Sequence, residues 1–189
     1  MKILVTGGCG FIGSNFILNQ IINTDNTILN FDALTYAANP KNLDEVAISK
    51  RYNFLKGNIC NYNEVNDAIA FFKPEAVVNF AAESHVDRSI NNPNTFIITN
   101  INGTANLLDV AYKYFIKLNI KNKKKFRFLH VSTDEVFGSL GKKGIFTEKT
   151  SYSPNSPYSA SKAGSDHLVR AWHHTYNLPT IVTNCSNNY

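Results

Sequence analysis

The feature that most constrains the fold is a set of three glycines, Gly7, Gly10 and Gly13, near the start of the chain. The apolar residues 2–6 before them are typical of a buried parallel strand. Apolar residues recur at helical spacing from Phe11 onward. In a strand–turn–helix unit of this kind, the first glycine allows a tight turn, the second lets the backbone approach a pyrophosphate, and the third lets the helix pack on the strand. The pattern therefore predicts a dinucleotide-binding turn.

An acidic residue follows at the distance that such a turn requires. Residues 27–31 read as a second buried strand, and Asp32 ends it, 19 positions after Gly13. A carboxylate at this place accepts hydrogen bonds from ribose hydroxyls and repels a 2′-phosphate. We therefore expect NAD as the cofactor rather than NADP, and a purely structural glycine-rich turn is the alternative.

Strands and helices alternate along the rest of the chain. Further strands are predicted at 52–56, 76–80, 126–131 and 179–185. Further helices are predicted at 62–72, 96–118 and 156–176. Such alternation gives a parallel sheet with helices on both faces. The fold class that we expect is α/β, a three-layer Rossmann-type doubly wound parallel sheet.

Composition and charge exclude several classes of protein. The hydrophobic fraction of 43% predicts a folded domain rather than a disordered chain. No apolar run reaches the roughly 18 residues of a membrane span, and the three cysteines match no disulfide or metal pattern. We therefore expect a cytoplasmic protein without a membrane partner. The net charge of +5 favours an anionic ligand but is too scattered for nucleic acid, and the basic residues 121–127 are predicted to form a solvated loop.

Three side chains suited to acid–base chemistry, Thr133, Asp134 and Glu135, follow the strand predicted at 126–131. In an extended chain, Asp134 points away from the other two, whereas a helix that begins after Ser132 lets all three surround one site. Ligands bind at the carboxyl ends of parallel strands, so a functional role is one interpretation of this position. An acidic cap on a helix N-terminus is the alternative.

Tyr158 and Lys162 share one face of the helix predicted at 156–176. A nearby ammonium lowers the pKa of a phenol because it favours the phenolate, so Tyr158 is a candidate base. The spacing alone is also typical of a surface pair. Behind an NAD-binding turn, and with the Thr133 hydroxyl at an earlier strand end, we expect the pair to be catalytic.

Six segments carry a resemblance to a known family. They are 6–14 (TGGCGFIGS), 32–37 (DALTYA), 81–90 (AAESHVDRSI), 132–136 (STDEV), 156–163 (SPYSASKA) and 184–189 (NCSNNY). In this order they resemble the extended short-chain dehydrogenase/reductase superfamily and, within it, the nucleotide-sugar 4,6-dehydratases. The Thr-Asp-Glu triplet is the most specific segment, because epimerases of the superfamily generally lack both acids there.

The resemblance implies a role for each catalytic candidate. Tyr158 is the base for the sugar 4-hydroxyl, Lys162 holds the nicotinamide ribose, and Thr133 bonds to the same hydroxyl. Glu135 removes the C5 proton, and Asp134 protonates the departing 6-hydroxyl. Mutual repulsion can separate the pKa values of two such adjacent acids. The implied reaction is dehydration of dTDP-glucose; a UDP-glucose 4,6-dehydratase, a decarboxylase, a 4-epimerase and a non-catalytic NAD-binding module are the alternatives.

The resemblance also implies which positions contact the ligands. The cofactor positions are Gly7, Gly10, Phe11, Ile12, Gly13, Asp32, Ala33, Leu34, Thr35, Asn58, Ile59, Phe80, Ala81, Ala82, Ser84, Thr99, Tyr158, Lys162 and Asn188. The positions for the nucleotide-diphosphate sugar are Ser84, Thr133 and Asn187. Family members often carry Asp in place of Asn58, so the adenine contact keeps an amide and lacks the charge. His85 and His130 are expected in packing or local hydrogen bonds, and no residue cluster predicts a metal.

Relatives in this family continue beyond the strand predicted at 179–185 with further strands and a smaller domain. The resemblance therefore implies that residues 1–189 form an NAD-binding Rossmann domain that is incomplete at its C-terminus and lacks the substrate-binding domain. Relatives also pair helices like those predicted at 96–118 and 156–176 across a two-fold axis. We therefore expect a homodimer through a four-helix bundle, and helices that only cover the sheet are the alternative.

Overall fold

The computed structural model describes residues 1–188, so that Tyr189, the last residue of the segment 184–189, lies outside the description. The strands are β1 (Lys2–Thr6), β2 (Thr27–Asp32), β3 (Tyr52–Lys56), β4 (Ala76–Asn79), β5 (Arg127–Thr133) and β6 (Thr180–Cys185). They form one parallel sheet in the order β3-β2-β1-β4-β5-β6. The direction of strand succession reverses between β1 and β4, and this is where open α/β sheets bind ligands.

Helices of three kinds connect the strands. The α-helices are α1 (Phe11–Asn23), α2 (Tyr62–Phe72), α3 (Val86–Asn91), α4 (Pro93–Phe96), α5 (Thr104–Phe115), α6 (Ile120–Lys125) and α7 (Pro157–Tyr176). Two 3-10 segments, Pro40–Val46 and Asp134–Phe137, and one π-helical segment, Ile97–Gly103, complete the elements. No helix in this described part of the chain is long and apolar enough to cross a membrane.

Alternate residues of the strands point to opposite faces of the sheet and build two separate cores. On one face, Leu4 and Val77 pack with apolar residues of α2, α5 and α7. On the other face, Ile3, Val5 and Val78 pack with α1 and the 3-10 segment Pro40–Val46. The predicted three-layer α/β fold is therefore confirmed.

The described strands agree with the predicted ones to within two residues at each end. The largest difference is at β5, which was predicted at 126–131 and runs from Arg127 to Thr133. Its extension follows from pairing, because β5 stays in register with β6 as far as Thr133 and Cys185. The longer strand carries Thr133 to the sheet edge where the glycine-rich turn also lies.

The loop predicted at 121–127 was wrong. Residues Ile120–Lys125 form α6, and Arg127 already begins β5. The Asn119 side chain caps this helix by accepting a hydrogen bond from the backbone N–H of Asn122 at 2.9 Å. Three lysines in the last turn face the negative end of the helix dipole.

The single helix predicted at 96–118 is interrupted in the structure. It starts at Pro93, passes through the π-helical segment Ile97–Gly103 and ends at Phe115. A π-turn inserts one residue into a helix and shifts the faces on either side of it, and such turns often occur at functional sites. Here the segment buries Asn100, a polar residue, at 1% exposure.

Helix α7 carries the Tyr–Lys pair, and its first turn is strongly fixed. Ser156 and Ser159 form a reciprocal capping box, and Pro157 occupies the first turn. Asn177 ends the helix in the left-handed conformation. The buried face of α7 includes Tyr158 and Lys162, so the cap orients both side chains toward the sheet edge.

Candidate active site

A cleft of about 590 Å³ lies over the carboxyl ends of the strands. Most of the predicted ligand-contacting positions line it: Gly7, Gly10, Phe11, Ile12, Gly13, Asp32, Ala33, Thr35, Asn58, Ile59, Phe80, Ala81, Ala82, Ser84, Thr99, Tyr158, Lys162 and Asn187. These residues come from seven separate stretches of chain, and the parallel sheet brings them together because all its strands end on the same side.

Two predicted cofactor positions do not line the cleft. Leu34 has φ of +54° and packs against the core on the α1 face. Asn188 is exposed, and its amide donates a hydrogen bond to the Ser186 carbonyl at 3.0 Å. The catalytic candidates at 133–135 also fall outside the lining residues and lie at one end of the cleft beside Tyr158.

The turn between β1 and α1 has room only for glycine at two positions. Gly7 has φ of +69°, and a Cβ atom there would lie 2.6 Å from the backbone nitrogen of Ala81. A Cβ atom at Gly13 would collide with the Gly7 carbonyl oxygen. Gly10 precedes α1 without a side-chain cap, so the first-turn N–H groups of this helix remain available to an anion. The turn therefore fits a pyrophosphate.

Asp32 is held in place by backbone groups on both sides of its carboxylate. Its Oδ2 accepts a hydrogen bond from the Cys9 N–H and its Oδ1 from the Leu34 N–H, each at 2.8 Å. The residue is 6% exposed and still lines the cleft. Each carboxylate oxygen keeps a second lone pair, so the group can accept from two vicinal ribose hydroxyls. The residues present therefore fit a dinucleotide without a 2′-phosphate.

Asn58 lies in a turn that uses only part of its hydrogen-bonding capacity. Its Oδ1 accepts from the Cys60 N–H at 2.9 Å, and its backbone N–H donates to Glu64 at 2.7 Å. Within residues 1–188, its side-chain nitrogen donates to no protein group. An amide nitrogen on the cleft wall is thus available to a hydrogen-bond acceptor of a ligand.

The acid pair follows the end of β5 at the start of a helical turn. The 3-10 segment Asp134–Phe137 begins directly after Thr133, whose Oγ1 accepts from the Glu135 N–H at 3.2 Å and lies 3.4 Å from Asp134 Oδ1. All three side chains act on the phenol of Tyr158. Of the two arrangements considered from the sequence, the structure has the one in which they surround one site.

The pKa of Tyr158 is raised to about 12, so the predicted lowering was wrong. Burial of the phenol is the largest cause, the charge of Glu135 adds to it, and the Thr133 hydroxyl opposes it. The ammonium of Lys162 does not compensate, because it donates to the Val131 carbonyl at 2.8 Å. The pair therefore lies on one face of α7 without the direct contact that would lower the pKa.

Lys162 is 4% exposed, and burial lowers its pKa to about 8. The charge of Asp166 opposes this shift. At neutral pH the side chain is therefore still mostly an ammonium, which suits a residue that holds hydroxyl groups of a ribose.

The pKa of the Glu135 carboxyl is raised. Burial is the larger cause and the charge of Asp134 the smaller one. A carboxylate with a raised pKa is a stronger base when it is ionised, so Glu135 suits proton abstraction from carbon.

Several cleft residues were not predicted as ligand contacts. Glu83 and His85 line the cleft. Glu83 accepts a hydrogen bond from the Tyr36 hydroxyl at 3.1 Å, and the Tyr36 ring lies 3.6 Å from the Arg88 guanidinium. His85 packs its ring against Tyr36, as expected for a packing histidine. These side chains lie within segments 32–37 and 81–90, which carried the family resemblance. The resemblance therefore indicated this region but implied no ligand contact for these residues.

The remaining unpredicted lining residues are Phe31, Ala37, Ala38, Gly57, Val131 and Ser132. Most of them flank predicted positions at strand ends.

His130 makes the local hydrogen bonds expected of it, to Asn79 and Ser165. Among residues 1–188, no three or more His, Cys, Asp and Glu side chains are grouped to hold a metal ion.

Known proteins with related sequences and structures bear on this site. The dTDP-glucose 4,6-dehydratase of Salmonella typhimurium is 54% identical over 198 residues, covering 100% of this chain and 55% of that protein. The enzyme of the same name from Neisseria meningitidis serogroup B is 56% identical, with 100% and 53% covered. The chain thus spans about half the length of these curated relatives.

A solved structure gives the same picture for the fold. The dTDP-glucose 4,6-dehydratase of Streptomyces venezuelae, crystallised with NAD, superimposes with a TM-score of 0.90 at 42% identity, covering 100% of this chain and 56% of that one. The sequence model of the GDP-mannose 4,6-dehydratase family matches residues 4–189. With nearly the whole chain matched, this protein belongs to the GDP-mannose 4,6-dehydratase family.

Proposed function

We propose that the chain is the NAD-binding part of a nucleotide-sugar 4,6-dehydratase that converts dTDP-glucose to dTDP-4-keto-6-deoxyglucose. One observation carries the proposal: the acid pair Asp134–Glu135 and Thr133 surround Tyr158 at the end of a cleft that fits a dinucleotide. The names of the relatives reported above support the same substrate and reaction.

NAD is the proposed cofactor. When bound, it supplies a group that accepts hydride from the sugar and gives it back within the same turnover. The glycine-rich turn would hold its pyrophosphate, Asp32 its adenosine ribose, Asn58 and Ile59 its adenine, and Lys162 its second ribose. The Asp32 carboxylate disfavours a 2′-phosphate, so NADP is the poorer ligand.

Tyr158 is the proposed base for the sugar 4-hydroxyl. Its high pKa makes the phenolate a strong base. Thr133, next to the phenol, orients the reacting hydroxyl by a hydrogen bond. Oxidation at C4 creates a ketone, which acidifies the proton on the neighbouring C5.

The acid pair performs the proposed elimination of water. Glu135 removes the acidified C5 proton, and Asp134 donates a proton to the departing 6-hydroxyl. Glu135 then returns its proton to C5 as C6 is reduced. The assignment is supported by the raised pKa of Glu135, which belongs to the residue that must act as the base.

These proton movements do not balance at each residue. Over one turnover Tyr158 gains one proton and Asp134 loses one, while Glu135 ends unchanged. Thr133 lies between the two, with its Oγ1 at 3.4 Å from Asp134 Oδ1 and its hydroxyl acting on the phenol. We infer that Thr133 passes the proton from Tyr158 to Asp134 and so resets the site.

The proposed domain organisation of residues 1–189 is one NAD-binding Rossmann domain that corresponds to about half the length of the relatives. It is supported by the length of the relatives, of which this chain covers 53 to 55%. It is also supported by Ile181 on β6, which is 47% exposed on the last strand of the sheet. We therefore expect the 189 residues to bind NAD but to turn over sugar poorly or not at all.

A 4-epimerase is the main alternative on this fold. It needs a tyrosine base, a lysine and NAD, but it has no step that removes water. The acid pair beside Tyr158 favours the dehydratase, because an epimerase has no use for an acid that protonates a leaving hydroxyl. The choice between dTDP-glucose and UDP-glucose rests on the named relatives alone.

A homodimer is the proposed assembly, formed by the helices from Pro93 to Phe115 and by α7. Its support is exposed apolar surface on the π-helical segment, where Ile97 is 45% and Ile98 50% exposed. Ile98→Asp should convert the dimer to a monomer in analytical ultracentrifugation. Ile48→Asp, at a 93% exposed position on another part of the surface, is the control.

The deciding experiment measures products by mass. A version of the chain extended to the length of its relatives is incubated with NAD and either dTDP-glucose or UDP-glucose. A dehydratase gives a product lighter by one water, whereas an epimerase gives no mass change. Asp134→Asn and Glu135→Gln should each abolish the loss of water, and dehydration that survives both changes would contradict the mechanism.

A further inference from the structure

We propose that Asp166 is a positioning residue for this site: it is the buried counter-charge of Lys162, and it fixes the end of β5 through Ser132. Asp166 lies one helical turn after Lys162 on α7 and is 3% exposed. Its role in catalysis rests on the proposed function, whereas its relation to Lys162 does not.

Asp166 joins the catalytic strand end to the long loop at 138–156. Its Oδ2 accepts from the Ser132 hydroxyl at 2.7 Å and from the Tyr152 hydroxyl at 3.0 Å. Ser132 lines the cleft directly before Thr133. The carboxylate therefore holds the strand end that presents the acid pair.

The other oxygen of Asp166 is the unusual one. Oδ1 is buried and accepts no hydrogen bond from residues 1–188, and it lies 3.4 Å from His130 Nε2. A buried carboxylate oxygen without a donor is costly unless a positive charge nearby offsets it. Two side chains near it can carry such a charge, His130 and Lys162.

His130 is not the source of that charge. Thr6 donates to Asn79 Oδ1 at 2.6 Å, so the amide nitrogen of Asn79 faces His130 Nδ1, at 3.0 Å. Nδ1 must then be an acceptor, and the proton of the neutral ring lies on Nε2, which faces Ser165 Oγ at 3.1 Å. Burial lowers the His130 pKa to about 4, which agrees with a neutral ring.

Lys162 is left as the partner. Its ammonium has one hydrogen bond, to the neutral Val131 carbonyl. Asp166 acts on it from its own helix and Cys185 from β6, while Tyr158 lies one turn before it and His130 lies on β5. Of these groups, Asp166 is the one carboxylate.

The test is a titration of Lys162 in the 189-residue chain with ¹³C-labelled lysine, followed at the Cε resonance and assigned with Lys162→Arg. Asp166→Asn keeps the side-chain shape and removes the charge. We expect the Lys162 midpoint to fall by about one pH unit. Asp166→Glu should restore it. Asp109→Asn, which removes a surface carboxylate paired with Lys113, is the control and should leave it in place.

A midpoint that is unchanged in folded Asp166→Asn overturns the proposal. If that variant does not fold, a measurement on the unmodified chain tests the proposal instead. Its Asp166 ¹³Cγ resonance should report a carboxylate and should shift at the pH where Lys162 loses its proton. An Asp166 ¹³Cγ chemical shift that does not change at the pH where Lys162 loses its proton would also overturn the proposal. Neither measurement needs cofactor or substrate, so this inference and the proposed function can fail separately.

Discussion

The side chain of Asn100 forms hydrogen bonds with both backbone polar groups of Glu83. Its Oδ1 accepts from the Glu83 N–H at 2.8 Å, and its Nδ2 donates to the Glu83 carbonyl at 3.0 Å. The same nitrogen donates to Ser161 Oγ on α7 at 2.8 Å. The π-helical segment thus ties the loop after β4, one wall of the cleft, to the helix that carries Tyr158.

Asn100→Ala should destabilise the domain by about 3 kcal/mol, because it leaves buried backbone groups of Glu83 without partners. Urea unfolding measures the change. Asn91→Ala is the matched control, since that amide makes one exposed hydrogen bond, and its effect should stay within about 0.5 kcal/mol. Equal losses of unfolding free energy in the two variants would show that the hydrogen bonds between Asn100 and Glu83 do not stabilise the domain.

Glu135→Gln should lower the pKa of Tyr158 by roughly one unit, because it removes the largest charge that opposes the phenolate. Near-ultraviolet absorbance reports the ionisation, and subtraction of the matching Tyr158→Phe spectra isolates this one tyrosine among nine. Glu45→Gln, an exposed acid on the opposite face of the sheet, is the control. An unchanged midpoint would place Glu135 away from the phenol.

Asp32→Asn should weaken NAD binding roughly tenfold to a hundredfold in calorimetry. The amide can accept on one side only, so its NH₂ group meets the N–H of Cys9 or Leu34 and the ribose loses an acceptor. The preference for NAD over NADP, measured as the ratio of the two affinities, should become smaller as well. Asp25→Asn, an exposed acid near the start of β2, should bind NAD like the unmodified chain. Full affinity in Asp32→Asn would remove Asp32 from the cofactor site.

His130 should make the domain less stable in acid. Its pKa falls from 6.5 in the unfolded chain to about 4 in the folded one, so protons bind more tightly to the unfolded state. The resulting stability is fully present above pH 6.5 and is lost as the pH falls through about 4, by about 3 kcal/mol in total. Urea unfolding at several pH values should therefore show a steeper acid loss for the unmodified chain than for His130→Gln. His167→Gln, at an exposed position, should keep the steep loss.

Gly7→Ala should cost about 2 kcal/mol or more, because φ of +69° is strained for alanine and its Cβ would press on Ala81. Gly141→Ala is the matched change in the long loop, where a Cβ atom meets nothing within 4 Å. Its effect should stay within about 0.5 kcal/mol. Similar unfolding midpoints for the two variants would contradict the geometry of the turn.

The sheet and the glycine-rich turn could be predicted because their signals are local. A strand buried on both faces reads as an apolar run. Gly7 is required by its own φ of +69°, and Gly13 by its contact with Gly7 in the same turn. Tyr158 and Lys162 were found for the same reason, since one helical turn separates them. The short helix α6 was missed because its six residues have no apolar face and depend on the Asn119 cap.

Other features depend on residues far away in the chain. The π-helical segment follows from bonds that Asn100 makes to residues 17 and 61 positions away. The direction of the Tyr158 pKa shift depends on burial and on the Val131 carbonyl that holds Lys162. Asp166 could not be singled out from the sequence, because its role depends on Ser132 and His130, which lie on β5 and contact it only in the fold.

The polar side chains Thr6, Asn79 and His130 form a line through β1, β4 and β5 that ends at Ser165 on α7. Fraying of α7 alone would take the Ser165 partner away from the buried Nε2 of His130, which costs free energy. This buried hydrogen bond therefore couples the helix that carries the base to the centre of the sheet. The assembled site should persist as long as the domain itself stays folded.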